Sequence, residues 1–255
     1  IKTSTLMLNK LKIIFWMIKN GYYLHLFYSI IFFLKKSFNK KVSFKERFSS
    51  KEAEKLCKKY LIKHKDLYFF FSKKKNYKIT KPSFNIKKIK KKMGGGSDTI
   101  LIYNLVIILK PKKIIEFGVA NGWSSLAILL ACKRNKFGKL ISIDMPYYFN
   151  NAKKFIGNLI DKKNFPDWTL LLGPQVNYIK KIEFQKYDLC HYDSDKSYQG
   201  RMIIYSKIWQ RLNKKGVLLS DDISDNLAFF DFCKIQRKKP YVLKFKQKYL
   251  GLIIK

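Results

Sequence analysis

The fold of this chain is decided by the stretch Lys113-Ile-Ile-Glu-Phe-Gly-Val-Ala-Asn-Gly-Trp-Ser-Ser-Leu-Ala127. Its β-branched, apolar start is typical of a strand covered on both faces, and that strand ends at Glu116. Gly118 and Gly122 then bracket a tight turn, where the missing Cβ permits unusual backbone angles and close approach of a ligand. The apolar run after the two serines predicts a helix. A strand, a glycine turn and a helix in this order place backbone N–H groups at a helix N-terminus, which suits an anionic or polar cofactor.

From Lys113 onward, short apolar runs alternate with helical patterns. This alternation predicts an α/β fold, with a doubly wound, mostly parallel sheet between two layers of helices. Two final β-like runs, Tyr241–Phe245 and Tyr249–Ile254, predict a C-terminal antiparallel hairpin. The other predicted strands are Ile114–Phe117, Leu140–Ile143, Thr169–Leu172, Tyr187–Tyr192 and Val217–Ser220. The helices predicted between them are Gly122–Lys133, Asn151–Ile160, a short helix from Gln175, Tyr198–Leu212 and Asp225–Ile235.

The charge of the chain is strongly positive and unevenly distributed. Its 255 residues carry a formal net charge of +37. Residues 1–92 hold 26 basic and 4 acidic residues, whereas residues 93–255 hold 28 and 13. We therefore predict a basic, aromatic-rich, mainly helical extension over 1–92 and the α/β domain over 93–255. Such a charge suits nucleic acid or an anionic membrane surface, but lysines occur throughout the chain, which favours a lysine-rich background.

Residues 11–34 are apolar and aromatic, and Lys19, Asn20, Gly21 and His25 interrupt them. The uninterrupted runs are too short to span a bilayer, so we predict two helical segments that pack on the domain or on a partner. Four lysines shortly after the aromatic run leave peripheral membrane association as an alternative. No signal-peptide cleavage pattern occurs, and a cytoplasmic location is expected. The widely spaced cysteines predict buried free thiols; they are Cys57, Cys132, Cys190 and Cys233.

Acidic residues follow four of the predicted strands. Because ligands of an open parallel sheet bind outside the carboxyl ends of its strands, we expect these acids to meet in one crevice. Each acid alone could also cap the following helix. Asp144 comes one strand–helix unit after the glycine turn, where an acid takes the ribose hydroxyls of a nucleoside cofactor. The acids are Glu116, Asp144, Asp193 with Asp195, and Asp221 with Asp222.

Three neighbouring features have a plain structural interpretation. Gly94-Gly-Gly-Ser97 lacks the end of a phosphate-binding loop and predicts a hinge or a wall of the cofactor pocket. His191 lies within a strand and is predicted to be a core histidine. Trp123 is predicted to line the pocket or, as we favour, to pack on the sheet. For Asp195 we favour a cap of the next helix over a role as a metal ligand.

The turn Glu-Phe-Gly-Val-Ala-Asn-Gly is not G-x-G-x-x-G, which disfavours a nicotinamide dinucleotide. Its pattern, Glu/Asp-x-Gly-x-x-x-Gly, resembles that of class I S-adenosylmethionine-dependent methyltransferases, and the resemblance covers the chain from about Gly94 onward. It implies a Rossmann-like fold and S-adenosylmethionine as cofactor. At the next strand end, the resemblance implies that Gln175 contacts the adenine. The other cofactor-binding residues that it implies are Glu116, Gly118, Ala120, Gly122, Ser124 and Asp144.

A narrower resemblance rests on Tyr187-Asp-Leu-Cys-His-Tyr-Asp-Ser-Asp-Lys-Ser-Tyr-Gln-Gly200 and Gly216-Val-Leu-Leu-Ser-Asp-Asp222. These runs are similar to the macrocin and sugar O-methyltransferases and to catechol O-methyltransferase. The resemblance implies that Asp193, Asp221 and Asp222 hold Mg²⁺ or another hard divalent cation and that Lys196 is the general base. Carboxylate oxygens suit such a metal, which lowers the pKa of an acceptor hydroxyl. A lysine beside a bound cation would have a lowered pKa and could accept the proton.

The expected function is methyl transfer from S-adenosylmethionine to a hydroxyl of a small molecule, with a sugar or glycan precursor as one acceptor class. A nucleic-acid methyltransferase is the first alternative, which the missing Asn/Asp-Pro-Pro-Tyr/Phe motif disfavours. The second is a non-catalytic module that keeps the cofactor fold and binds a membrane or a partner. Homo-oligomerisation stays open.

Overall fold

The structure is a computed structural model that describes residues 2–38, 40–84, 93, 96–146, 152–182 and 185–255. Its first four helices precede the sheet: α1 (Lys2–Lys19), α2 (Tyr23–Phe38), α3 (Lys40–Lys59) and α4 (His64–Ser72). The later helices are α5 (Thr99–Leu109), α6 (Trp123–Asn135), α7 (Gln175–Ile182), α8 (Tyr198–Arg211) and α9 (Ala228–Ile235). The strands are β1 (Lys113–Phe117), β2 (Lys139–Asp144), β3 (Trp168–Leu172), β4 (Tyr187–Tyr192), β5 (Leu212–Ser220), β6 (Tyr241–Phe245) and β7 (Lys248–Ile254).

The seven strands form one sheet in the order β3-β2-β1-β4-β5-β7-β6. The first five strands are parallel, and β7 runs antiparallel to both of its neighbours, β5 and β6. The predicted α/β class, the mostly parallel sheet and the C-terminal hairpin are therefore confirmed. The strand order reverses at β1 and β4, and the carboxyl ends of these two strands flank the crevice where such sheets bind ligands.

Alternate residues of the central strands enter two different cores, because successive side chains of a strand point to opposite faces. Ile114 of β1 and Leu189 of β4 pack with α4, α5 and α6 on one face. Ile115 and Cys190 pack with α3, α8 and α9 on the other. Burial on both faces explains why the strands are nearly continuous apolar runs.

The segment before residue 85 takes part in both cores. Ala53 and Cys57 of α3 are buried on one face of the sheet, and Leu67 and Tyr68 of α4 on the other. The backbone at Ile62 donates a hydrogen bond to the carbonyl oxygen of Val242 on β6. The boundary predicted between residues 92 and 93 adjoins residues outside the described ranges. All four cysteines are buried free thiols, which confirms that prediction.

The helix predicted over Asn151–Ile160 is wrong. The described part of this segment forms a single 3₁₀ turn, Ala152–Lys154, followed by non-helical turns. The N–H groups of Gly157 and Leu159 donate to the carbonyl oxygens of Ala120 and Asn121, which belong to the glycine turn after β1. These backbone donors support the turn, so they are not available to close helical hydrogen bonds.

The turn after β1 passes very close to the turn after β4. Gly118 has φ +91° there, and the N–H of Asp193 donates to the carbonyl oxygen of Phe117 over 2.7 Å. A Cβ on Gly118 would overlap the carbonyl oxygen of Asp193. Only glycine satisfies both the backbone angle and the contact.

We expect Gly118→Ala to destabilise the protein by about 1–3 kcal/mol, because the new methyl group overlaps backbone atoms at a left-handed position. Urea unfolding measures the loss. Gly96→Ala is the matched control, because a Cβ at Gly96 would meet Trp123 at an ordinary 3.5 Å. Equal stabilities of the two variants would contradict the steric argument.

Candidate functional site

The glycine turn is held by the carboxylate at the end of β2. Oδ2 of Asp144 accepts hydrogen bonds from the N–H groups of Val119 (2.9 Å) and Ala120 (2.7 Å). Gly118 donates to the carbonyl oxygen of Ile143, so the turn is fixed to β2 at three points. Ala120 has φ +49°, a strained angle that these hydrogen bonds support. The turn therefore has one defined shape.

The pKa of Asp144 is raised, because burial disfavours its charge more than the N–H groups of Ala120 and Val119 stabilise it. The carboxyl group lines a cavity of about 490 Å³ at the carboxyl ends of β1, β2, β4 and β5. A hydroxyl or amine of a ligand would restore part of the lost solvation.

This cavity brings together most of the predicted site. Gly118, Ala120, Ser124 and Asp144 line it on the side of the glycine turn. Asp193, Lys196 and Asp222 line it on the other side. Gly96 and Ser97 also line the cavity, in agreement with their predicted place in a pocket wall. Trp123 lines the cavity and packs against Phe84. Gly94 and Gly95 lie outside the described residues. Four predicted residues are not among its lining: Glu116, Gly122, Gln175 and Asp221.

Glu116 is fully buried beneath the turn. Its Oε1 accepts from Ser124 Oγ (2.7 Å), and its Oε2 from Ser125 Oγ (2.5 Å) and Ser142 Oγ (2.7 Å). The two serines of α6 and the serine of β2 thus saturate the carboxylate. The structure assigns Glu116 a role in joining β1, β2 and α6 and does not present it to a cofactor.

His191 extends this network to the fourth strand. Its Nδ1 lies 3.3 Å from Glu116 Oε1, and its Nε2 lies 3.3 Å from Asp221 Oδ1. Burial opposes the imidazolium, but the hydrogen bonds and charges of Asp221 and Glu116 outweigh it and raise the pKa of His191 to about 10. His191 is the predicted core histidine, and in this setting it is a buried cation between two carboxylates.

Gln175 begins α7 beyond the end of β3. Its Nε2 donates to the Tyr192 hydroxyl over 3.4 Å. Its Oε1 is buried without a hydrogen-bond partner. Residues 147–150, which follow the cavity-lining Pro146, lie outside the described residues. The adenine contact proposed for Gln175 stays a prediction, and the unpartnered oxygen is an acceptor that such a contact would use.

Two lysines neutralise the acids on the far side of the cavity. Lys196 Nζ forms ion pairs with Asp193 Oδ1 and with Asp222 Oδ2, the latter at 3.0 Å. Lys248, at the start of β7, reaches Asp222 Oδ1 at 3.1 Å. We call these four residues the acid–lysine cluster. Two carboxylates and two ammonium groups leave it without net formal charge.

The lowered pKa of Lys196 was predicted for a lysine beside a bound cation and stays a prediction; beside Asp193 and Asp222 the balance is different. Burial alone would lower it, but the charges of Asp193 and Asp222 outweigh burial and raise the pKa. Burial likewise opposes the charge of Asp222, and Lys196 and Lys248 outweigh it and lower the pKa of that carboxyl. Lys196 is therefore an ammonium donor, and it is not poised to accept a proton.

The predicted ligands of Mg²⁺ do not form one set. Asp221 turns away toward His191, with its side chain 4% exposed. The ammonium group of Lys196 lies between Asp193 and Asp222, where a cation bridging them would have to bind, and the ammonium group of Lys248 pairs with Asp222. Within the described residues, no three His, Cys, Asp or Glu side chains are grouped so that they could hold a metal ion. The arrangement does not fit the predicted divalent metal.

The comparisons with known proteins bear on the part of the chain that carries this geometry. Residues 115–223, from β1 to just beyond β5, match a family described as a methyltransferase domain. This stretch, which is less than half of the chain, is similar to that family. It contains the glycine turn and every member of the acid–lysine cluster except Lys248.

Solved structures share the fold. An O-methyltransferase from Bacillus cereus in complex with SAH is 14% identical, with a TM-score of 0.52 over 63% of this chain and 83% of its own. The O-methyltransferase TomG from Streptomyces achromogenes, in complex with SAM, is 10% identical, with a TM-score of 0.50 over 60% and 78%. A methyltransferase from Geobacter sulfurreducens is 15% identical, with a TM-score of 0.50 over 64% and 80%. The resemblance predicted from the sequence is thereby confirmed. No curated protein matches the sequence.

Several residues that shape the cavity and its walls were not predicted from the sequence. Lys248 is one of 54 basic residues and carries no local signal. Arg201 is 1% exposed and donates to the carbonyl oxygens of Asp221 (3.0 Å) and Asp222 (2.9 Å), which holds Asp222 at φ +52°. Its place one turn into α8, after an acid-rich strand end, is the only sequence signal for that role.

Asn121 supports the cavity wall next to the glycine turn. Its side-chain oxygen accepts from the N–H of Met93 (2.7 Å), and its amide donates to Asn158 (3.2 Å). It thus connects the glycine turn to the segments before α5 and after β2. Asparagine inside a glycine turn is common, so the sequence offered no signal for this role.

We expect the stability of the protein to fall between about pH 6.5 and about pH 10 through His191. A pKa raised in the folded state gives stability that is complete below the unfolded pKa and lost as pH rises through the folded pKa. Urea unfolding of the wild type across this range should show a steeper decline than that of His191→Gln, which keeps polar atoms but cannot titrate. Parallel curves for the two proteins would mean that His191 is not charged in the folded state.

Proposed function

We propose that the chain transfers a methyl group from S-adenosylmethionine to a hydroxyl oxygen of a small molecule. The observation that carries this proposal is one cavity with the glycine turn and Asp144 on one side and the acid–lysine cluster on the other. The O-methyltransferase structures of the same fold support it. Sugars and glycan precursors are the acceptor class to test first, because they carry several hydroxyl groups.

The cofactor fits the residues on the turn side. Asp144 offers a carboxylate to ribose hydroxyls, and the close backbone at Gly118 leaves room that a side chain would fill. When bound, S-adenosylmethionine supplies the methyl group on a positively charged sulfur. The carboxylates of Asp144 and Asp193 line the cavity and favour a positive charge there.

The acid–lysine cluster would act on the acceptor. Methyl transfer forms a C–O bond and breaks a C–S bond, and the hydroxyl proton must leave the acceptor oxygen. Lys196 stays protonated, so its ammonium group would stabilise negative charge that develops on that oxygen. The carboxylate of Asp193, with its side chain 26% exposed at the cavity, would accept the proton.

We expect Asp144→Asn to weaken S-adenosylmethionine binding about 10- to 100-fold, because a charged acceptor of hydrogen bonds is lost while the shape is kept. Isothermal titration calorimetry measures the affinity. Asp167→Asn is the control: Asp167 is an exposed acid just before β3, at the opposite end of the strands from the cavity. Absence of binding to the wild type would refute the proposed function, and the chain would then be a non-catalytic module of the same fold.

We expect Lys196→Ala to lower turnover about 10²- to 10³-fold with little change in cofactor affinity, because its ammonium group acts on the acceptor side of the cavity. Methyl transfer from labelled S-adenosylmethionine to a panel of sugars and catechols measures turnover. Lys234→Ala, which removes an exposed lysine of α9, is the matched control. Transfer to nucleic acid in place of these acceptors would favour the nucleic-acid alternative.

The proposed steps use no metal, so turnover should persist after dialysis against a chelator. The reason is the position of Lys196 and Lys248, whose ammonium groups pair with the carboxylates that a divalent cation would need. The measurement compares turnover in excess chelator with turnover in added Mg²⁺. Loss of turnover that Mg²⁺ restores would show that the lysines yield their place to a metal during the reaction.

A further inference from the structure

Helix α1 has two apolar faces on opposite sides. Ile13, Trp16 and Met17 line the cavity of the proposed methyl-transfer site. The opposite face, about 200° around the helix, carries Leu11, Ile14, Phe15 and Ile18. These four side chains are exposed, and Phe15 is 75% exposed. A cluster of exposed apolar side chains marks a surface that another molecule covers.

The neighbouring helix enlarges the exposed surface. Tyr23, Leu24 and Ile30 of α2 are also exposed. Tyr22 is buried at the junction, where its ring meets Trp16 edge-on with centroids 5.4 Å apart. The junction therefore holds the two helices together while their apolar residues face outward. We call these seven exposed residues of α1 and α2 the apolar surface.

The positive charge around the apolar surface favours a negatively charged partner. Residues 1–45 contain nine lysines and no aspartate or glutamate. Lys12 and Lys19 are exposed, and both lie about 90° around α1 from the apolar residues. Exposed apolar side chains beside lysines are the pattern of helices that lie in the interface of anionic membranes. A second copy of this chain would bring the same positive charge and would be repelled.

We infer that α1 and α2 place the protein on an anionic membrane surface, with the apolar surface inserted among the lipid head groups. None of the helices in the described ranges is long and apolar enough to cross a membrane. Contact is thus with one leaflet, parallel to its plane. The same α1 then lies between the lipid and the cavity, because its opposite face forms part of the cavity wall.

Co-sedimentation with vesicles tests the inference on the full chain. One set of vesicles is phosphatidylcholine alone, and the other contains phosphatidylcholine with phosphatidylglycerol. We expect binding to the second set, weakening as salt is raised, and little binding to the first. Equal partitioning to both sets, or binding to neither, would overturn the inference.

Paired variants separate insertion from bulk charge. Phe15→Asp should lower vesicle partitioning about tenfold or more, because it removes an exposed apolar anchor and adds a negative charge. Ile235→Asp makes the same change in charge on α9, where Ile235 is 62% exposed, and should leave partitioning unchanged. An equal loss in both variants would show that net charge alone drives binding and would overturn insertion.

Sedimentation equilibrium of the wild type tests the other possible occupant of the apolar surface, a second copy of the chain. A dimer that Phe15→Asp abolishes would show that a second copy covers the apolar surface, against the inference. A monomer that binds anionic vesicles supports it. Calorimetry with S-adenosylmethionine on the Phe15→Asp variant is an independent readout of folding and of the proposed function, which can fail or hold without changing the vesicle result.

Discussion

The buried carboxylate of Glu116 is the interaction on which the arrangement of the site depends. It lies on the α6 face of the sheet, in register with Ser142 on β2 and His191 on β4. It accepts hydrogen bonds from two serines of α6 and one of β2, and through His191 it reaches Asp221, just after β5. An uncompensated charge in this place would be very costly, so the three strands and α6 must hold their relative positions.

The network around Glu116 supports both the glycine turn and the acid–lysine cluster. Asp144 fixes the turn from β2, and the carbonyl oxygen of Phe117 binds the N–H of Asp193 from β4. Arg201 binds the carbonyl oxygens that follow β5, which sets where the carboxylate of Asp222 points. Each wall of the cavity is therefore tied to a different strand end, and the network around Glu116 ties those strands together.

The mostly parallel sheet and its C-terminal hairpin could be predicted because strands buried on both faces leave a clear apolar pattern. Side-chain direction was harder to predict. Glu116 lies two residues after Ile114, so strand periodicity alone places it on the same face, beside α6 and away from the strand edge. That signal was present in the sequence, but the resemblance to cofactor-binding acids overrode it. The failed helix over 151–160 had no such signal, because its backbone donors bind a turn 37 residues earlier.

The acid–lysine cluster shows where sequence spacing stops being informative. Asp193 and Lys196 are close in sequence, but Lys248 meets Asp222 only because β7 returns antiparallel to β5 and begins beside its end. Three carboxylates read along the chain suggest a metal. In the structure, one of these three carboxylates faces His191 and the other two face ammonium groups. A divalent cation would have to displace both lysines and reorient Asp221, which would leave His191 charged with one partner in place of two. The charges around His191, which lie in the core and not in the cavity, thus also disfavour binding of a divalent metal.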